Sequence, residues 1–183
     1  MKSVLISIQP KWVEKIASGE KTIEVRKTAP QEVPFKAYIY ETQGQYVKFT
    51  HGAHTKYGYG CGKVIGEFIC DKVYPIKNRG SSFSVADEEQ SVTNEIARQS
   101  CLYYDDMVSY FGNKDGFGWH ISDLKIYDKP RELSEFSRPC SYSGLCFSCK
   151  RTSFKKDGNL LCNTKITRPP QSWMHVEDLG EEK

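Results

Sequence analysis

Long apolar runs are missing from this sequence, and their absence argues against a membrane-spanning protein. No stretch approaches the roughly 18 consecutive apolar residues that a transmembrane helix requires. A secretory signal is missing too, because the alternating segment from Met1 meets Pro10 before a hydrophobic signal core could form. We therefore expect a cytoplasmic protein with no membrane partner.

The chain also has little excess charge of either sign. Its 26 lysines and arginines stand against 23 acidic residues, which gives a formal net charge of +3. This mild excess gives no evidence of a polyanion-binding tail, and internal repeats and low-complexity tracts are absent. A chain of 183 residues is long enough to bury the core of one domain, with room for a small appended module.

Apolar periodicity predicts strands and helices that interleave without the regular spacing of a βαβ fold. The predicted strands are 3–8, 21–27, 35–41, 61–73, 116–127 and 173–177, and the predicted helices start at Pro10 and cover 85–99 and 102–111. Ser100 is positioned to cap the last helix and Gly112 to end it. Residues 42–60 are rich in glycine and predict a long loop. The pattern favours an α+β fold with a small mixed β-barrel and flanking helices.

The corner between the first helix and the second strand carries the most informative polar residues. Gly19 suits the left-handed position that ends a helix, and Lys21 then lies at the start of the strand. Side chains alternate along the strand, so Thr22, Glu24 and Arg26 share one face. Such a row suits the wall of a cleft for a polar ligand. The alternative is a surface pair of Glu24 and Arg26, worth about 0 to 1 kcal/mol.

The opening from Val4 to Arg26, with its G-x-K-x-x-E-x-R corner, resembles the start of ASCH-domain proteins of the PUA-like superfamily. The segments Gly62–Phe68 and Pro169–Trp173 are similar to the central strand and the closing segment of that family. The resemblance implies a PUA-like barrel whose cleft binds RNA or a modified nucleoside. Some members are similar to amidohydrolases that deacetylate acetylated cytidine with a lysine, a threonine and a glutamate.

If the chain is an enzyme, the candidate catalytic residues are Lys21, Thr22 and Glu24, although the glutamate of those amidohydrolases falls near residues 99–101 here, where no carboxylate is in register. Lys21 matches the lysine of those amidohydrolases. Their threonine lies three residues after the lysine, where this chain has Glu24, and Thr22 is the nearest hydroxyl. A partly desolvated Lys21 could serve as a base, with Glu24 moving a proton.

Six residues are candidates for contacting a ligand. They are Lys21, Glu24, Arg26, Tyr40, Trp119 and His120. Lys21 and Arg26 would neutralise phosphate or donate to base and sugar oxygens, and Glu24 would accept from an exocyclic amine. Tyr40 would line the cleft together with Tyr57 and Tyr59. Trp119 could stack on a base or belong to the core, and His120 could face the cleft or be a barrel histidine with satisfied hydrogen bonds.

Four cysteines within a short segment predict a structural zinc (Zn) site. They are Cys140, Cys146, Cys149 and Cys162. Cys146 and Cys149 have zinc-knuckle spacing, and Asp157-Gly158 is a hairpin signal that would return Cys162 toward them. Three of the cysteines with His175 form a second possible ligand set, and four unlinked thiols are the alternative without metal. A zinc site would provide the folding free energy of this small segment.

These features predict a barrel domain over 1–135 and 163–178, a zinc-binding insertion over 136–162 and a frayed tail over 179–183. The favoured function is binding of RNA or a modified nucleotide in a Lys/Glu/Arg cleft. One alternative is a hydrolase acting on modified nucleosides or RNA, although the sequence carries no Ser/His/Asp or metal-hydrolase signature. A second alternative is that a prophage-like mobile-element protein uses this scaffold to bind a protein partner.

Overall fold

A computed structural model describes residues 1–48, 56–80, 82–140, 152–154, 160–162 and 164–180. The strands are β1 (Lys2–Ile8), β2 (Ile23–Arg26), β3 (Phe35–Glu41), β4 (Gly44–Lys48), β5 (Lys56–Gly60), β6 (Val64–Cys70), β7 (Val73–Asn78), β8 (Phe83–Val85), β9 (Gly116–His120), β10 (Ser122–Arg131), β11 (Thr152–Phe154), β12 (Leu160–Cys162) and β13 (Trp173–Val176). The helices are α1 (Pro10–Ala17), α2 (Gln90–Ser100) and α3 (Tyr104–Phe111), with a short 3₁₀ turn at Leu133–Glu135. The α+β class is therefore confirmed.

Two sheets and two hairpins account for these strands. The larger sheet has the order β10-β6-β3-β1-β13, in which only β1 and β3 run parallel. The smaller sheet is antiparallel, with the order β2-β9-β7-β8. The hairpins are β4–β5 and β11–β12. The prediction of a closed barrel is therefore wrong for the described part of the chain, where the strands form two separate sheets.

The sheets separate because two long predicted strands each break and change sheet. The predicted strand 61–73 ends at Cys70 and resumes as β7, and the predicted strand 116–127 is interrupted at Ile121. The two breaks meet, since the His120 N–H donates to the Lys72 carbonyl at 2.9 Å. Asp123 has a φ of 47°, a left-handed conformation that turns the start of β10. Each break spans only one or two residues, and the pattern does not tell that the chain changes sheet there.

A large apolar core packs the inner face of the β1–β3 pair against the smaller sheet. Its centre is Trp119, which is fully buried and meets Phe35 edge-to-face with ring centroids 5.0 Å apart. Val4, Ile6 and Ile39 belong to the same cluster. A second cluster, around Tyr38 and Phe136, covers the other face of the larger sheet.

The first helix begins and ends as its sequence predicts. Pro10 occupies the first turn, where its missing N–H has no intrahelical partner to lose. Val13 and Ile16 are buried at helical spacing. Gly19 takes a φ of 76°, which reverses the chain into β2. This turn fixes the position of the polar corner.

The later helices are shorter than predicted. The first starts at Gln90 instead of residue 85, because Val85 pairs with Ile76 in the smaller sheet. Ser100 is the last residue of α2 and not the cap of α3, so that prediction is wrong. The actual N-cap of α3 is Tyr103, and Gly112 ends the helix as predicted.

The predicted loop 42–60 contains the β4–β5 hairpin. Gly44, Gly58 and Gly60 occupy paired positions in that hairpin, so the usual apolar alternation is diluted and the strands escape detection. His51 and His54, the two histidines of the predicted loop, lie outside the described residues.

Among the described residues, no helix is both long and apolar enough to cross a membrane.

The two ends of the cysteine-rich insertion are held together. Ser137 bridges to Lys165 in antiparallel fashion, and the Arg138 N–H donates to the Thr164 carbonyl at 2.9 Å.

At the C-terminus, Asp178 accepts hydrogen bonds from Tyr38 and Lys36. Residues 181–183 lie outside the described residues, and the frayed tail stays a prediction.

Candidate ligand-binding cleft

The polar corner before and within β2 is buried, although most of its residues are charged. Lys21, Glu24 and Arg26 are 2%, 5% and 6% exposed. The alternation of β2 turns Ile23 and Val25 into an apolar cluster under α2 and α3, which leaves Glu24 and Arg26 on the opposite face. A surface pair is therefore excluded, and each charge depends on specific partners.

Lys21 bridges the end of α2 and the carboxylate of Glu24. Its Nζ donates to the Ser100 carbonyl at 2.6 Å and lies 3.5 Å from Oε2 of Glu24. The last carbonyls of a helix carry partial negative charge, which favours an ammonium there. Burial lowers the pKa of Lys21 below its usual value, and the neighbouring Glu24 opposes that shift. The ring of Trp12 lies beneath this ammonium, with its centroid 5.3 Å from Nζ.

Arg26 ties the corner to β1 and to the closing segment. Its Nη2 lies 2.9 Å from Oε1 of Glu24 and donates to the Ser7 carbonyl at 2.6 Å. Its Nη1 donates to the hydroxyl of Ser172 at 3.5 Å. The buried Nε has no hydrogen-bond partner among the described residues. Glu24 therefore joins two buried cations, one through each carboxylate oxygen.

These three residues line a cleft of about 720 Å³. Gln9, Lys11 and Trp12 form one wall at the start of α1. Asp106, Ser109 and Tyr110 line it from α3, and residues 169–171 line it from the segment before β13. A volume of this size matches typical small-molecule sites.

The electrostatic balance of the cleft is positive. Lys11, Lys21 and Arg26 line it together with two acids, Glu24 and Asp106. Asp106 already accepts the backbone N–H of Tyr103 at 3.1 Å, as part of the cap of α3. The cleft thus combines buried donors, a buried acceptor and two aromatic side chains, which suits a planar polar or anionic ligand.

The structure brings only part of the predicted ligand set into this cleft. Lys21, Glu24 and Arg26 converge there. Of the two interpretations of Trp119, the structure favours the core, because this residue is fully buried. Tyr40 is 6% exposed and packs in the cluster of Tyr38, away from the cleft lining.

His120 and Thr22 also lie apart from the cleft lining. The Nδ1 of His120 is 2.6 Å from Oδ1 of Asp71, at the corner where both sheets break. His120 is therefore better interpreted as a structural histidine with a satisfied hydrogen bond, whose partner is Asp71. Thr22 uses its backbone to accept from Ile121 and to donate to Gln99, which places it at the start of β2.

Sequence reasoning missed both aromatic walls of the cleft. Trp12 fits the apolar spacing of α1 and packs against the core, and it also lines the cleft beside Lys11. Tyr110 lies on α3, and burial raises its pKa while Arg26 opposes the shift. A signal for Tyr110 existed, since it follows the buried Met107 by three positions and so lies beside the apolar stripe of α3.

Two of the four predicted zinc ligands, Cys146 and Cys149, lie outside the described residues. Cys140 is exposed. Cys162 ends β12, and its backbone pairs with Thr152. No group of three metal-ligating side chains occurs among the residues that the structure describes. The zinc site therefore stays a prediction.

Known structures share this fold at low sequence identity. A single-substitution variant of the ASCH protein from Zymomonas mobilis aligns with a TM-score of 0.55 and 16% identity, covering 96% of this chain and 89% of that one. The unsubstituted ASCH protein from the same organism aligns with a TM-score of 0.48 and 19% identity, covering 72% and 74%. No family model matches the sequence, and no curated protein does. The chain has the fold of an ASCH domain.

Proposed function

We propose that the cleft binds one nucleotide of a single-stranded or looped RNA, or a free modified nucleoside. The observation that carries this proposal is the buried row of Lys21, Glu24 and Arg26 along a cleft of about 720 Å³. Burying three charges is costly, and ionisable side chains in such environments concentrate at functional sites. Here they line a cavity of nucleoside size.

The aromatic walls support a planar ligand. Trp12 lines the cleft from α1 and Tyr110 lines it from α3. A base held beside either ring would gain stacking of roughly 1 to 3 kcal/mol. RNA-binding modules commonly hold an unstacked base in this way.

Hydrogen-bonding capacity remains in the polar row. The ammonium of Lys21 has three donors, of which Ser100 and Glu24 use two. The carboxylate of Glu24 offers about four acceptor positions, and its two cations leave room for an exocyclic amine. The excess cationic charge from Lys11, Lys21 and Arg26 favours a ligand that carries a phosphate.

The substitution Lys21→Met tests this proposal, because it keeps an unbranched apolar side chain and removes the ammonium. Binding of a labelled seven-nucleotide RNA of mixed sequence is measured by fluorescence anisotropy at several salt concentrations. We expect a loss of about tenfold or more, with a shallower dependence of affinity on salt if Lys21 contacts a phosphate.

Lys77→Met is the matched control. Lys77 lies on β7, where its side chain is 45% exposed and pairs with Asp115, and it does not line the cleft. Both variants must show the circular dichroism spectrum of the native protein. Native RNA affinity in a folded Lys21→Met variant would contradict the proposal.

A hydrolase is the second candidate, favoured by the lowered pKa of Lys21. A lysine that is neutral more readily than usual can act as a base, and the Glu24 carboxylate is 3.5 Å from it. Thr22 does not belong to this arrangement, so water is the expected nucleophile. Incubation with acetylcytidine and a panel of modified nucleosides, read by chromatography, should then give turnover that Lys21→Met abolishes. Absence of turnover across the panel would leave binding as the function.

We also propose a structural zinc ion bound by Cys140, Cys146, Cys149 and Cys162. The antiparallel pairing of β11 and β12 supports a hairpin that returns the last cysteine, and the joined ends at Ser137 and Lys165 support a closed insertion. Four thiolates favour tetrahedral zinc without an open catalytic position. Elemental analysis should find about one zinc per chain. Metal-free protein with four thiols accessible to a titrating reagent in the folded state would refute the site.

A further inference from the structure

The strand β2 is the edge of the smaller sheet, and its free edge belongs to the cleft. In the order β2-β9-β7-β8, β2 has a neighbour on one side only among the described strands. Glu24 and Arg26 point to one face of β2, while α3 packs against Val25 on the other face. Residues of α3 nevertheless line the same cavity as Glu24 and Arg26. Because β9 covers one edge of β2, the cavity joins the two faces around the other edge.

The register of β2 shows which backbone groups point to that free edge. The Ile121 N–H donates to the Thr22 carbonyl at 2.9 Å, and bonding to the partner strand alternates along an antiparallel pair. Glu24 and Arg26 follow Thr22 by two and four positions, so both bond to β9. Val25, between them, therefore turns its N–H and its carbonyl away from β9 and toward the free edge.

The neighbouring strand gives the same assignment. Gly118 lies opposite Val25. The His120 N–H donates to the Lys72 carbonyl at 2.9 Å, so by the same alternation Gly118 bonds to Tyr74 of β7 and not to β2. In the part of the chain that the structure describes, the N–H and carbonyl of Val25 have no hydrogen-bond partner, although this residue is 5% exposed. Buried backbone groups without a partner are rare, which points to a partner outside the chain.

Val25 brings these two groups to the cleft, which it lines. Its side chain packs in the apolar cluster with Ile23 and Met107, so its backbone is the part that faces the cavity. Tyr110 lies next along this edge, with its ring centroid 5.2 Å from Nζ of Lys27. Burial raises the pKa of Tyr110, and the Lys27 N–H, the next outward amide of β2, opposes that shift. The free edge therefore carries one donor and one acceptor beside an aromatic ring.

We propose that the N–H and carbonyl of Val25 bind the Watson–Crick edge of a nucleobase, in the way that a neighbouring strand would. This inference rests on the proposed function of the cleft and names the part of the ligand that is read there. In an antiparallel pair one residue exchanges two hydrogen bonds with the residue opposite, so its N–H and carbonyl match one adjacent donor and acceptor. The Watson–Crick edge of each nucleobase carries such a pair. A paired base has this edge occupied, so the cleft should select unpaired nucleotides.

The direct test is NMR of the Val25 amide in the native protein. Its chemical shift and hydrogen exchange are measured with the labelled seven-nucleotide RNA and with the tightest-binding of the four nucleoside monophosphates. We expect the amide to shift and to exchange more slowly in both complexes. The same monophosphate, methylated at the ring nitrogen of its Watson–Crick edge, should bind at least about tenfold more weakly, because the methyl group blocks both hydrogen bonds.

Two substitutions at Val25 give an independent measurement. Val25→Pro removes the outward N–H, and proline is tolerated on an edge strand where the N–H does not belong to the ladder. Val25→Ala is the matched variant, because it also shortens the buried side chain but keeps the N–H. Val25→Pro should bind the monophosphate about tenfold more weakly than Val25→Ala does. If the proline variant lacks the native circular dichroism spectrum, the NMR and methylation results decide.

The outcomes separate this inference from the function of the cleft. An unchanged Val25 amide in the complexes would refute the inference, and so would equal affinity for the methylated and unmethylated monophosphates. The cleft would still stand in either case if Lys21→Met weakens RNA binding. If neither the monophosphates nor the RNA binds the native protein, the proposed function and this inference fail together.

Discussion

Replacing Glu24 by glutamine tests whether the corner holds three buried charges. Glu24 joins Lys21 at 3.5 Å and Arg26 at 2.9 Å, and its side chain is 7% exposed. Glutamine has nearly the same shape and one carbonyl acceptor. It can accept from one of the two cations but neutralises neither, so the substitution leaves two buried positive charges next to each other.

The expected loss of stability follows from that imbalance. Removing one partner of a buried ion pair typically lowers the free energy of unfolding by about 3 to 5 kcal/mol. The hydrogen bonds from Arg26 to the Ser7 carbonyl and from Lys21 to the Ser100 carbonyl remain, which favours the lower end of this range. We therefore expect Glu24→Gln to lower the free energy of unfolding by about 3 kcal/mol at pH 7.

The loss should shrink as the pH rises. Lys21 has a folded-state pKa below its ordinary value of 10.5, so between those two values the unfolded chain binds more protons and stability increases with pH. The charge of Glu24 raises the pKa of Lys21, so its removal lowers that pKa further. The pH range in which stability increases with pH then begins at a lower pH. The variant can then relieve its buried charge by releasing the Lys21 proton, which narrows its difference from the native protein.

Urea denaturation followed by tryptophan fluorescence at pH 7 and pH 9 measures both effects. Glu32→Gln is the control, because Glu32 forms an exposed pair with Lys2 and its loss should leave the denaturation midpoint unchanged. A Glu24→Gln variant within about 1 kcal/mol of the native protein at pH 7 would refute the reasoning, since an uncompensated buried charge costs more than that. A loss that grows with pH would equally contradict it.

Three further predictions concern the fold around the cleft. Gly66→Ala should lower the denaturation midpoint and disturb the β6–β10 pairing, because its Cβ would lie 2.5 Å from the Lys125 carbonyl oxygen. Urea denaturation measures the midpoint and amide hydrogen exchange measures the pairing. Native values in both would contradict the close approach. Trp119→Ala should lower the free energy of unfolding by about 3 to 5 kcal/mol, as expected for a fully buried tryptophan, and a loss below about 1 kcal/mol would argue against its central position. The hydrogen bond from His120 lowers the pKa of Asp71 below 3.8. The stability that this pair contributes is therefore present above pH 3.8 and is lost as the pH falls through the lowered pKa. Asp71→Asn should remove this part of the acid dependence of unfolding, and an unchanged acid-unfolding curve would contradict the pairing.

Local patterns in the sequence were sufficient for several elements next to the cleft. The predicted strand 35–41 has the observed bounds of β3, and Pro10 and Gly19 delimit the first helix as predicted. Glu24 and Arg26 lie together in the cleft, as the alternation of β2 implies, and Lys21 joins them from just before the strand. In each case the signal and the contacts that it controls lie within a few residues of one another.

Tertiary contacts decided the elements that sequence reasoning misplaced. Trp119 lies on a strand like any candidate stacking residue, and only its meeting with Phe35 from β3 makes it core. Trp12 follows the apolar spacing of α1, yet the neighbouring cleft leaves its ring beside Lys11 and Lys21. The periodicity of one sequence predicts which face of a helix or strand is apolar, but it does not predict which other element packs against that face.

The change of sheet between β6 and β7 depends on contacts that are distant in sequence. The alternation of the predicted strand 61–73 fails at Asp71 and Lys72, two consecutive exposed polar residues, which are a local signal of a break. The Lys72 carbonyl accepts the His120 N–H, which joins segments far apart in the chain. The local signal therefore does not tell that the chain enters a second sheet there.

A crystal structure with the tightest-binding nucleoside monophosphate would show whether Lys21 contacts a ligand. We expect ligand density in the cleft beside α1 and α3, with a polar ligand atom within about 3.2 Å of the Lys21 Nζ. Density confined to the groove of about 1020 Å³ beside β10, with the cleft empty, would contradict it.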